Sequence, residues 1–151
     1  MRSVIISDTS CFIVLSKIDE LDLLRRLYGT VTTTPEIIAE FENALPDWIK
    51  INSAEDKYRQ RLLELNLGKG ESSAIALALE QENAVLILDD NKARKIAMRL
   101  GISITGTLGI IINAKLTSVI PSIKPILEKL KKTNFRLSNE LEKEALRLAG
   151  E

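Results

Sequence analysis

Hydrophobic residues in this chain fall alternately into short dense runs and into spacings of three or four. Residues 3–7, rich in valine and isoleucine, read as a short parallel strand buried on both faces. Thr9 or Ser10 then offers a side-chain oxygen to the first turn of a helix reaching about Lys17. Leu21, Leu24, Leu27 and Tyr28 keep helical spacing, and Gly29 ends that segment. Residues 30–34 are β-rich, while Pro35 suits the first turn of a helix carrying Ile37, Ile38 and Phe41.

The middle of the chain is less regular. Residues 43–52 hold Pro46 and the apolar positions Trp48, Ile49 and Ile51, the pattern of a loop with a minor edge strand. Residues 55–67 read as a polar helix and Gly68-Lys69-Gly70 as a turn. A helix over 71–82 follows, with Ala74, Ile75, Ala78 and Leu79 at core spacing. Residues 85–88 predict a buried strand, 91–100 a helix with Ile96, Ala97 and Leu100 inward, and 102–105 another strand. Gly106-Thr107 opens a helix whose face is Leu108, Ile111, Ile112 and Lys115; Pro121 and Ser138 mark the starts of two C-terminal helices, the second ending at Ala149-Gly150. Strands alternating with helices imply an α/β fold with a parallel sheet and right-handed crossovers. At 151 residues and 45% hydrophobic content, without repeats or a linker-like tract, the expectation is a single domain over 1–151, its C-terminal helices beginning near 121.

Composition narrows the chemistry. The 21 basic and 21 acidic residues cancel, so any nucleic-acid contact needs a local patch rather than an overall charge. With no histidine, serine–histidine and cysteine–histidine nucleophile systems and histidine-ligated zinc are excluded. Hydrolysis would have to use carboxylates, a lysine or a metal-bound hydroxide. The lone Cys11 rules out an internal disulfide and reads as a core residue. Short, interrupted apolar stretches and an N-terminus unlike a signal peptide lead to the expectation of a cytoplasmic protein that does not span a membrane.

Acids recur at strand-to-helix junctions: Asp8 after the first strand, Glu71 at a helix start, and Asp89-Asp90 after the strand over 85–88. Open α/β sheets bind ligands beyond the carboxyl ends of their strands, where such residues can meet despite wide sequence separation. Asp8, Glu71 and Asp90 together suit a hard divalent cation, which takes oxygen ligands and relieves the repulsion between clustered acids. Glu40 joins them if the Pro35 helix aims its C-terminal half at the same rim. Each acid also has a purely structural reading: Asp8, Asp89 and Asp90 as helix caps or dipole partners, Glu71 as a first-turn acid, and Glu40 as a solvated residue. Gly68-Lys69-Gly70-Glu71 lacks the spacing of a phosphate-wrapping loop. The basic run Lys124, Lys129, Lys131 and Lys132 reads as a solvated face, and Phe12, Phe41 and Phe135 read as core rather than as base-stacking platforms.

Taken in order, Ser7-Asp8-Thr9-Ser10, residues 35–40, Gly68-Lys69-Gly70-Glu71 with Ala74 to Ala78, and Leu88 to Arg94 resemble the PIN domain over residues 3 to about 115. The segment Thr105-Gly106-Thr107-Leu108-Gly109 is similar to one in short prokaryotic PIN proteins related to VapC-type toxins. The resemblance implies a three-layer α/β/α fold and a ribonuclease dependent on Mg²⁺ or Mn²⁺. It assigns Asp8, Glu40, Glu71 and Asp90 as the first to fourth acids, with Asp89 as an additional metal ligand and Ser10 as a supporting hydroxyl. The third acid is more often aspartate in that family. The implied partners are an RNA substrate, a second copy of the chain and an antitoxin protein. Two other readings stand beside this one: a PIN-like scaffold that binds RNA or protein without cleavage, and a haloacid-dehalogenase-like phosphatase, which would usually carry an aspartate where Ser10 stands.

Overall fold

A computed structural model describes residues 3–151. One all-parallel sheet of five strands has the order β3-β2-β1-β4-β5, with β1 at Val4–Ser7, β2 at Val31–Thr33, β3 at Ile49–Ile51, β4 at Ala84–Ile87 and β5 at Ser103–Thr105. Helices flank it in a three-layer α/β/α arrangement. Those of the first half are α1 at Thr9–Lys17, α2 at Asp22–Tyr28, α3 at Pro35–Phe41, α4 at Lys57–Glu64 and α5 at Lys69–Leu79. The second half holds α6 at Asn91–Arg99, α7 at Thr107–Leu116, α8 at Lys124–Lys131 and α9 at Asn139–Leu148.

The order of strands explains where a site can form. From β1 the chain builds outward through β2 to β3, then returns to the other side of β1 to lay down β4 and β5. The direction of winding therefore reverses between β1 and β4, which leaves a crevice at their carboxyl ends. Register aligns Ser7 with Ile87 and Ile87 with Thr105, so the residues that follow each strand leave the sheet at one level. Asp8 N–H donates to Ile87 O and Leu88 N–H to Thr105 O, extending the ladder into the junctions.

The core is aliphatic. Ile6, Leu86 and Ile87 of β1 and β4 are fully buried with Leu88 just after them, as are Phe12, Leu15, Leu24, Ile37, Ile75, Ile110 and Ile111 from the helices. Buried on both faces, the central strands show dense valine and isoleucine runs instead of alternation. Phe12 and Phe41 meet at a centroid separation of 5.8 Å, which ties α1 to α3.

Several boundaries differ from the sequence expectation for identifiable reasons. Of the caps the sequence offered for α1, Asp8 serves, its side chain accepting from Cys11 N–H, and Thr9 and Ser10 do not. Gly68-Lys69-Gly70 is not a turn: Gly68 is the N-cap of α5, and Lys69 and Gly70 lie in its first turn. Leu100 is exposed and Ala93 takes the inward place with Ala97, while Ile96 packs partly buried against the core. The buried face of α7 is Thr107, Ile110, Ile111 and Ala114, with Lys115 reaching Ala149 O. The first C-terminal helix opens near Pro125 at Lys124–Lys131 and not at Pro121, whereas Ser138 does cap α9.

Candidate active site

Asp8 is the centre of the arrangement. It leaves the end of β1 with only 2% of its surface exposed, and each carboxylate oxygen accepts a backbone N–H: Oδ1 from Cys11 at 2.9 Å, Oδ2 from Asp89 at 3.2 Å. These bonds fix its rotamer and join the β1 junction to the β4 junction. Burial, reinforced by the neighbouring Asp89 and by Glu71, nonetheless pushes its pKa from 3.8 up to about 7. The two backbone donors pull the other way without overcoming the loss of hydration.

Glu71, in the first turn of α5, is half-buried, and its pKa is raised by burial, then by Asp90 and Glu40; the Gly68 N–H and Lys92 oppose the shift. Asp90 caps α6 through Oδ2, which accepts Ala93 N–H at 2.9 Å. Glu40 sits in the last turn of α3, where it accepts the Thr9 hydroxyl at 2.7 Å. Its carboxylate lies against Gly70 so closely that any β-carbon there would collide with it. Glycine at that helical position makes room for the acid. Asp8, Glu71, Asp90 and Glu40 thus share one electrostatic neighbourhood on the rim between β1 and β4.

The remaining two candidates behave differently. Asp89 lies beside Asp8, but its oxygens accept the backbone N–H (2.8 Å) and the hydroxyl of Thr107. Its carboxylate is therefore turned to the start of α7, which has no side-chain cap of its own. Ser10 is exposed on α1 and lines the groove next to Asp89, whereas the hydroxyl that touches a candidate acid belongs to its neighbour Thr9. The contacts that Thr9, Gly70 and Thr107 make with the acids are not signalled by the sequence. A threonine next to Asp8 and a glycine inside a helix were the available signals, yet neither points to its long-range partner. Cys11 is fully buried, and burial raises its thiol well above the ordinary range, as befits a packing residue.

The donor set fits a hard divalent cation: it is all carboxylate oxygen, with no nitrogen or sulfur ligand among the candidates. Capping does not exhaust it, because each carboxylate oxygen has a second lone pair after accepting one N–H. Among the described residues no three acids are drawn together closely enough to hold a metal ion as they stand.

A parallel sheet wound as β3-β2-β1-β4-β5, with acids gathered at its switch point, is the nuclease-type fold of PIN domains. A PIN-domain family model matches residues 4–151, and the chain belongs to that family. The match runs through α8 and α9, beyond the stretch up to about Lys115 that the sequence motifs covered. No curated protein matches the chain. Membership of the PIN family removes the ground for a haloacid-dehalogenase-like phosphatase. Among the described residues no helix is long and apolar enough to cross a membrane.

Proposed function

We propose that this PIN domain, as one unit over 1–151, is a cytoplasmic metal-dependent ribonuclease hydrolysing phosphodiester bonds at the rim between β1 and β4. The observation that carries the reading is the electrostatic coupling of Glu71 to Asp8, Asp90 and Glu40, beside a buried Asp8 whose charge burial and neighbouring acids oppose. A protein keeps such an arrangement when a cation balances it in the working state. Asp8, Glu71 and Asp90 would hold Mg²⁺ or Mn²⁺. The ion would supply Lewis-acid stabilisation of phosphoryl oxygens and acidify water. Glu40, oriented by Thr9, accepts a proton from the attacking water at its carboxylate. Asp89 acts through its neighbours: its N–H holds Asp8 and its carboxylate holds the start of α7.

Purified protein titrated with Mg²⁺ or Mn²⁺ and single-stranded RNA tests this directly. Cleavage that requires the metal, and is lost in Asp8→Asn, is the expected result. An amide supplies no charge for a hard cation, and it turns an N–H₂ toward one of the two backbone donors that Asp8 accepts. The fold should persist, since relief of a buried charge offsets the lost hydrogen bond. RNA cleaved equally well by Asp8→Asn would reject the assignment; metal titration without cleavage by either protein would favour the binding scaffold.

The proposal extends to partners. Tyr58, Leu62 and Leu65 on and just after α4 are 79%, 67% and 79% exposed, an exposed apolar stripe that supports a homodimer. Light scattering should give twice the monomer mass at micromolar concentration, and Leu62→Glu should return the monomer. An antitoxin, if this chain is the toxin of such a pair, would find in the acids a target for an arginine or lysine that inhibits by occupying them.

A further inference from the structure

A groove of about 810 Å³ opens from the candidate site on its β5 side. Asp89 and Ser10 line the end next to the acids; the far wall is the α8–α9 connection, from Thr133 to Arg136. Lys17, Arg94 and Arg136 bring three cations to this lining against the single carboxylate of Asp89, in a chain whose formal charge is zero. Lys17 and Arg136 are exposed and take part in no ion pair among the described residues. Arg94 is held in place by donating to Leu88 O at 2.7 Å. Phe135 adds a half-buried ring to the same wall.

The wall is preset. Thr133 donates its hydroxyl to Leu130 O at 2.7 Å and accepts Phe135 N–H at 3.1 Å, so the connection is folded back on the end of α8. Lys129 of α8 donates to Ile18 O at 3.3 Å, which ties that helix to the end of α1, where Lys17 stands. Cations and the aromatic ring are thereby held at one groove instead of being scattered over the surface.

The geometry points to this groove as the track for single-stranded RNA leading to or from the bond cut at the acids: Lys17, Arg94 and Arg136 contact phosphates and Phe135 stacks an unpaired base. The inference rests on the nuclease reading for the position of the scissile bond. Charge complementarity and continuity with Asp89 and Ser10 favour a nucleic-acid strand over a protein segment, and stacking on Phe135 requires a base free of its complement. It gives the C-terminal helices a task, that of carrying one wall of the substrate path.

Binding of a labelled single-stranded RNA of mixed sequence, followed by fluorescence anisotropy in the non-cleaving Asp8→Asn background, tests the inference. Lys17→Ala and Arg136→Ala should each weaken binding several-fold and flatten the salt dependence by roughly one counterion. Phe135→Leu, which keeps an apolar side chain, should weaken binding about fivefold or more and leave the salt slope unchanged. Lys50→Ala, on β3 at the opposite sheet edge, should change neither quantity. Equal affinity and slope in Lys17→Ala and Arg136→Ala would overturn the groove assignment, as would equal competition by polyglutamate, which carries charge but no bases. Weakened binding in the groove variants with no metal-dependent cleavage by the native chain would leave the groove standing while removing the nuclease. Native cleavage untouched by the groove variants would do the reverse.

Discussion

Asp8 carries two duties that are usually read as alternatives. It caps α1 and links two strand ends through backbone N–H groups, and it stands in the middle of the acid cluster. Capping fixes the carboxylate where charge is unwelcome, which is the preorganisation that ion binding needs. Gly70 performs the complementary task by leaving room for Glu40. Its backbone is ordinary helix, so alanine at this position should be tolerated: helix propensity favours it by about 1 kcal/mol, and the carboxylate it meets is the mobile end of a side chain. Gly70→Ala should therefore keep or raise the melting temperature while displacing Glu40. Cleavage should fall on the order of a hundredfold, the usual cost of misplacing a reacting group by an ångström. A variant that melts normally and cuts at the native rate would show that the Glu40 carboxylate has no part in the chemistry.

At the scale of elements, the starts of α1, α6 and α7 meet at one rim, each served by an acid: Asp8, Asp90 and Asp89. Negative charge is stabilised at helix N-termini, so these starts offset part of the repulsion that the cluster creates. The α7 junction depends on a single side chain, because Gly106 has none to offer and Asp89 reaches across from the end of β4. Thr107→Val removes the hydroxyl half of that link and leaves a partly buried carboxylate oxygen short of a donor, at a cost of about 1 kcal/mol. Thermal melts should show the loss in Thr107→Val and its recovery in Thr107→Ser. Equal stability of all three proteins would mean that water or another donor replaces the threonine.

For the whole molecule, the acid cluster couples stability to pH and to metal. Asp8 has a folded pKa of about 7 against 3.8 for the free side chain, so between these values the folded chain holds a proton that the unfolded chain has released. Its contribution is complete below about pH 4 and is lost as pH rises through about 7, a decline on the order of 4 kcal/mol. Metal-free protein should accordingly lose stability over that window, and Asp8→Asn should show a shallower decline. Mn²⁺ should restore stability, and more so as the pH rises through 7, because ion and proton compete for the same carboxylate. Melting curves in chelator and in excess Mn²⁺ at several pH values check both directions; a pH profile identical in native and Asp8→Asn protein would refute the role given to Asp8.

Much of this was legible in the chain. Period and punctuation indicated the order of strands and helices, since local apolar spacing, Pro35 and Gly29 act within a few residues of themselves. The junction acids were recognisable because the carboxyl-end rule applies to any open parallel sheet. What lay beyond reach was long-range. Which face of α6 turned inward and where α8 began were decided by packing against distant elements. The same holds for Glu40 beside Gly70, Asp89 turned to Thr107, and Phe135 on a groove with Lys17. Each joins residues separated by at least eighteen positions, and only the tertiary fold sets the distance between such residues. Local sequence determined which side chains were available at each junction; the winding of the sheet decided which of them meet.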